Sequence, residues 1–143
     1  MPQAGAAGRP NIIFIVADDL GSADLGCYGG GNVSPILDRL AREGLLFTRA
    51  YSNSPVCSPA RFAMTTGRWQ YRLPGAADEP LTTRRSIVLG LPPEHPTLPS
   101  LLRAGGYATA LIGKWHLGQL PKFGPLLSGY DEFFGPMGGG VDY

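Results

Sequence analysis

The sequence predicts an α/β fold, a mostly parallel sheet flanked by helices, on three observations. Apolar, β-branched runs alternate along the chain with segments whose apolar residues fall at helical spacing. Ser-Pro pairs and glycines punctuate those segments where helices would start and stop. The first run, "NIIFIV", is continuously apolar rather than alternating, which suits a strand covered on both faces.

Residues 11–16 are therefore expected to form the first strand. Ser34 and Pro35 read as N-cap and first turn of a helix carrying Ile36, Leu37, Leu40 and Ala41, with Gly44 as its stop. "LLFTRAY" at 45–51 reads as a second strand. Ser58-Pro59 repeats the helix-start pattern, so a helix is expected immediately after Cys57, running to about Thr66. Residues 69–96, rich in Pro, Gly and charge, read as a long excursion. Thr97, Leu98, Leu101, Leu102 and Ala104 mark a further helix closed by Gly105-Gly106, and "YATALIG" at 107–113 a third strand. Residues 119–143 read as loop, with an aromatic cluster of Tyr130, Phe133 and Phe134. No internal repeat is visible.

Composition bounds the partners. With 143 residues, 43% hydrophobic and 16% charged, the chain has the length and apolar content of one ordinary globular domain. A net charge of +1 gives no electrostatic case for nucleic acid or membrane, so neither is expected as a partner. No stretch approaches the ~18–20 apolar residues that span a bilayer. The first ten residues lack the apolar core of a secretory signal, so as written the chain reads as cytoplasmic; a leader ahead of it would make it periplasmic or secreted. Two cysteines, Cys27 and Cys57, do not make a disulfide scaffold.

Ligands of open α/β sheets sit beyond the carboxyl ends of the strands, which makes the strand endings informative. The first ends in Asp18-Asp19, hard oxygen ligands suited to Ca²⁺ or Mg²⁺, or equally a helix cap or turn. The last ends in Lys114-Trp115-His116, where Lys114 and His116 offer charge and a proton to an anionic substrate, or are simply a solvated pair. Cys57 falls at a helix start, where an anion is welcome, with Arg61 one turn on. It reads as a small buried hydrophobe, an anion-site residue or a low-pKa thiolate. His95, set among prolines, reads as an ordinary surface histidine.

Together these stretches resemble the type I sulfatases of the alkaline-phosphatase superfamily. "CSPARFAMTTGR" (57–68) is similar to the signature C-x-P-S-R with its T-G-R ending, and "GYATALIGKWHLG" (106–118) to the second signature nearly letter for letter. "PNIIFIVADDLG" (10–21) matches the opening strand and acidic pair, and "GYDEFFG" (129–135) also recurs in the family. Ala60 stands where the family usually has Ser, while Cys57, Pro59 and Arg61 are all present.

The resemblance implies an alkaline-phosphatase-like fold and a sulfuric ester hydrolase acting on a sulfated small molecule or glycan. It implies that a formylglycine-generating enzyme oxidises Cys57 to an aldehyde, one hydroxyl of whose hydrate attacks sulfur while the other helps expel sulfate. Asp18, Asp19 and residue 57 would bind a divalent cation, Ca²⁺ ordinarily and Mg²⁺ as the second choice. Arg61 would hold the formylglycine, Lys114 contact the sulfate oxygens, and His116 assist elimination. It further implies a disordered leader at 1–9 and, at 10–143, the N-terminal portion of a catalytic domain whose members run to several hundred residues. Two Asp and a hydrated aldehyde do not complete the about 6–8 oxygen ligands of Ca²⁺, so the chain by itself is expected to turn over poorly. Three other readings compete: a phosphonate monoester or phosphodiester hydrolase of the same superfamily, a non-catalytic remnant, and a thiol hydrolase using Cys57 directly.

Overall fold

The structure of the protein, a computed structural model, describes residues 8–73 and 81–140. The expected leader therefore lies, for residues 1–7, outside the described residues, as does part of the 69–96 excursion. Two compact units divide the chain, Met1–Arg49 and Ala50–Tyr143.

In the first unit, helix α1 spans Pro35–Glu43, begun by Ser34 and ended at Gly44 as the sequence predicts. Ser34 does not cap its own helix by side chain. Its hydroxyl donates to Asp38 Oδ1 at 2.8 Å and accepts from Gly26 N–H at 2.9 Å. Asp38 Oδ1 also accepts from Cys27 N–H at 2.8 Å. The pair thereby satisfies the leading N–H groups of the 3-10 turn Gly26–Tyr28. Tyr28 OH donates to the Phe47 carbonyl at 3.0 Å.

The strands expected at 11–16 and 45–51 are not in the sheet of the described residues. Both stretches lack strand pairing, and Ile13 and Ile15 are 84% and 81% exposed rather than covered on two faces. β-propensity favours extended backbone, but a strand exists only when a neighbour takes up its N–H and C=O groups.

The second unit holds the buried core: Phe62, Leu73, Leu91, Trp115 and Leu117, with Leu111, Tyr130, Phe133 and Met137 packed against it. Helix α2 spans Cys57–Thr66 and stops at Gly67, whose φ of 66° supplies the left-handed end. A short helix, α3, covers Thr83–Ser86, within the expected excursion. Helix α4 spans Leu98–Ala104 under a reciprocal cap, Ser100 N–H to Thr97 Oγ1 and Thr97 N–H to Ser100 Oγ.

Strands β1, Ala110–Ile112, and β2, Glu132–Phe134, pair in parallel with Leu111 opposite Phe133. Those two turn inward to the core while their neighbours on each strand face out, the period of two that a strand imposes. β2 falls in the stretch the sequence reads as loop. Three residues, two of them phenylalanines in a row, are too few to show alternation. Asp131 locks the approach to the pair, its Oδ2 accepting from Thr109 N–H at 2.9 Å and lying 3.0 Å from the Thr109 hydroxyl. The Thr109 backbone N–H and then its hydroxyl, with Arg103 alongside, hold the Asp131 carboxyl below its ordinary value.

Candidate active site

Cys57 is the first residue of α2, two positions earlier than the Ser58-Pro59 cap-and-first-turn pattern predicts, with Val56 in the cap position. The shift is tolerated because the first helical bond runs from Ala60 N–H to the Val56 carbonyl, so Pro59, in the first turn, has no ladder donor to supply. Ser58 is freed from capping and fully buried, and its Oγ accepts from Leu81 N–H at 2.8 Å. Both Cys57 and Cys27 are free thiols, and Cys57 is half-buried.

Beyond β1 the backbone stays beside the continuation of β2. Gly113 N–H bonds the Phe134 carbonyl at 2.8 Å, Trp115 N–H that of Pro136 at 2.9 Å, and His116 N–H that of Met137 at 3.1 Å. This ladder carries Lys114 and His116. Between them Trp115 is buried, its Nε1–H donating to the Phe123 carbonyl at 2.7 Å and its ring meeting Tyr130 edge-on, centroids 6.3 Å apart. Burial pushes the Tyr130 hydroxyl above its ordinary pKa, and the nearby Arg61 charge partly offsets that rise.

Two links join the α2 start to this segment. Arg61 Nη1 donates to the Lys114 carbonyl at 2.6 Å. The Leu81 backbone receives Ser58 at its N–H and His116 Nε2 at its C=O, the latter at 2.9 Å. His116 is 5% exposed and adopts φ 56°, a left-handed conformation uncommon outside glycine and held here by those bonds. Arg61 is thus tied to the Lys114 backbone, and Ser58, next to Cys57, is tied through Leu81 to His116, all within the second unit. Sequence reasoning missed Ser58 and Leu81 as the joints: Ser58 carries the same letters as a helix cap, and Leu81 lies in an excursion with no readable period.

A family model described as Sulfatase matches residues 10–142. The chain belongs to the sulfatase family. It is 45% identical over 140 residues to the N-acetylgalactosamine-6-sulfatase of Homo sapiens, covering 94% of this chain and 27% of that protein. It is 46% identical over 146 residues to the steryl-sulfatase of Mus musculus, covering 92% of this chain and 23% of the relative. Among solved structures, that of Ps i-CgsB superposes with a TM-score of 0.86 at 42% identity, over 94% of this chain and 29% of its own. The same protein in complex with k-i-k-neocarrahexaose gives 0.73 at 36% identity, over 90% and 28%. The chain therefore spans about a quarter of the length of the relatives it matches. Its α/β class, helices with a parallel sheet, is the expected one and agrees with these solved structures.

In this sulfatase-family chain the acidic pair lies in the first unit, where Asp18 and Asp19 form a turn with Asp19 at φ 58°. Asp accepts that conformation more readily than most residues. Two exposed carboxylates at one turn fit a hard divalent cation in donor chemistry. Among the described residues no group of three or more His, Cys, Asp or Glu side chains gathers as a metal cluster.

Proposed function

We propose that this chain carries part of the catalytic centre of a sulfuric ester hydrolase, with residue 57, converted to formylglycine, as the attacking position. The observation that carries the reading is the bond from Arg61, one turn beyond residue 57, to the backbone of Lys114, which brings the two signature stretches together. When formed, the hydrated aldehyde supplies an oxygen nucleophile that a thiol lacks, and a Ca²⁺ at Asp18 and Asp19 supplies fixed positive charge.

The chain's own residues do the rest. Arg61 holds a permanent charge beside the start of α2, and its link to Lys114 fixes that charge against the segment bearing the other two groups. Lys114 binds the sulfate oxygens, whose charge redistributes as the S–O bond to the alcohol breaks. His116 carries the proton. Burial of Trp115 and of the His116 ring keeps these groups in one orientation. The names of the relatives support a sulfated small molecule or glycan as substrate; conversion of residue 57 would require a formylglycine-generating enzyme as partner.

The test is turnover, expected to be weak in this chain by itself, of a chromogenic aryl sulfate with Ca²⁺ by the protein co-expressed with such an enzyme, beside Cys57→Ala and a phosphonate monoester. Sulfate release that Cys57→Ala abolishes supports the reading. Hydrolysis of the phosphonate alone would replace it with the related phosphonate hydrolase.

A further inference from the structure

The imidazole of His116 is gripped on two sides. Its Nε2 lies 2.9 Å from the Leu81 carbonyl oxygen, which can only accept, so Nε2 carries the hydrogen. In the neutral ring the basic lone pair is then on Nδ1. The other side is closed by backbone. A Cβ added at Gly139 would fall 2.4 Å from Cε1, 2.7 Å from Nε2 and 3.0 Å from Nδ1 of His116, so the main chain at Gly139 lies directly against the ring. Leu81 is itself fixed by Ser58, whose buried Oγ accepts its N–H at 2.8 Å.

The three consecutive glycines 138–140 separate space from conformation. None has a φ in the left-handed region, so alanine suits the backbone at each. A Cβ at Gly138 or Gly140 meets nothing within 4 Å. Only the middle glycine is required, and what requires it is the histidine ring.

We propose that Gly139 and Ser58 are positioning residues for His116: together with the Leu81 carbonyl they lock its imidazole as the Nε2–H tautomer, with the basic lone pair on Nδ1. The tautomer stands on this geometry alone; its catalytic meaning rests on the function proposed above.

The experiment is a long-range ¹H–¹⁵N correlation spectrum of the full chain labelled in histidine, recorded where the ring is neutral, with His95→Gln to assign the signals. The expected wild-type pattern for His116 is the Nε2–H tautomer. Gly139→Ala and Ser58→Ala give a mixed or reversed tautomer, while Gly138→Ala and Gly140→Ala keep the wild-type pattern. An Nδ1–H tautomer in the wild type overturns the proposal whether or not any variant folds. So does a wild-type pattern in both Gly139→Ala and Ser58→Ala, or an equal change in Gly138→Ala. In an aryl sulfate assay Gly139→Ala lowers kcat on the order of tenfold or more with KM little changed, within the about 10²–10⁴-fold a positioned proton carrier contributes. Absence of turnover in the wild type, as an incomplete Ca²⁺ shell would give, leaves the spectroscopic result standing, whereas a residue 57 that is never converted counts against the functional reading.

Discussion

Arg61 reaches across 53 positions of sequence to donate through Nη1 to the backbone oxygen of Lys114 at 2.6 Å. A guanidinium can spend one N–H on such an anchor and still present others, which a lysine ammonium on a flexible stem does less well. Arg61→Lys is therefore expected to be nearly as damaging as Arg61→Ala. Both should lower kcat for an aryl sulfate by about 10²–10³-fold, the usual cost of losing one preorganised donor. Steady-state kinetics of the two variants check this; near-normal kcat in Arg61→Lys would show that charge alone suffices.

Trp115 sits in the chain between the two proposed catalytic groups and in space at the centre of the core, 2% exposed. Trp115→Ala should cost about 3–5 kcal/mol of stability through the cavity it leaves. Trp115→Phe should cost less, about 1–3 kcal/mol for the Phe123 carbonyl left without its buried donor. Urea denaturation of the second unit's fluorescence or circular dichroism signal measures both.

The Asp131 carboxyl, held below its ordinary value of 3.8 chiefly by Thr109, stabilises the β1–β2 pair in its charged form. A depressed folded-state pKa contributes stability that is present above the ordinary carboxylate range and disappears as pH falls through the lowered value. Stability should thus fall off below about pH 4, and Asp131→Asn should flatten that part of the profile while costing stability at neutral pH. Chemical denaturation at stepped pH reads this out; an unchanged acid limb in Asp131→Asn would contradict it.

If Asp18 and Asp19 hold the cation, chelation should remove turnover and Ca²⁺ should restore it. Asp19→Asn should then need more Ca²⁺ for half-activation, by at least the about 10–100-fold typical of changes one shell further out. A Ca²⁺ titration of activity in wild type and variant measures the shift.

The legible part of this protein was local. Ser34-Pro35 and Thr97 announced α1 and α4 because helix starts are written in adjacent letters. Asp18, Asp19, Cys57, Arg61, Lys114 and His116 stood out by residue type and position. What stayed hidden was set by contacts distant in sequence. The runs at 11–16 and 45–51 have strand composition but no partner strand among the described residues, and pairing is not a property of a segment alone. β2 was hidden by its shortness. Ser58, Leu81 and Gly139 owe their importance to where His116 lies, and no spacing rule connects them.

The central claim is that residue 57 reacts as an aldehyde and not as a thiol. Peptide mass spectrometry of the stretch containing residue 57, from protein co-expressed with a formylglycine-generating enzyme, tests it most directly. The expected product is a residue that has lost sulfur and two hydrogens and gained one oxygen, and that forms an adduct with a hydrazide. A residue 57 that keeps its thiol throughout, under conditions that convert a sulfatase of known activity, would contradict it.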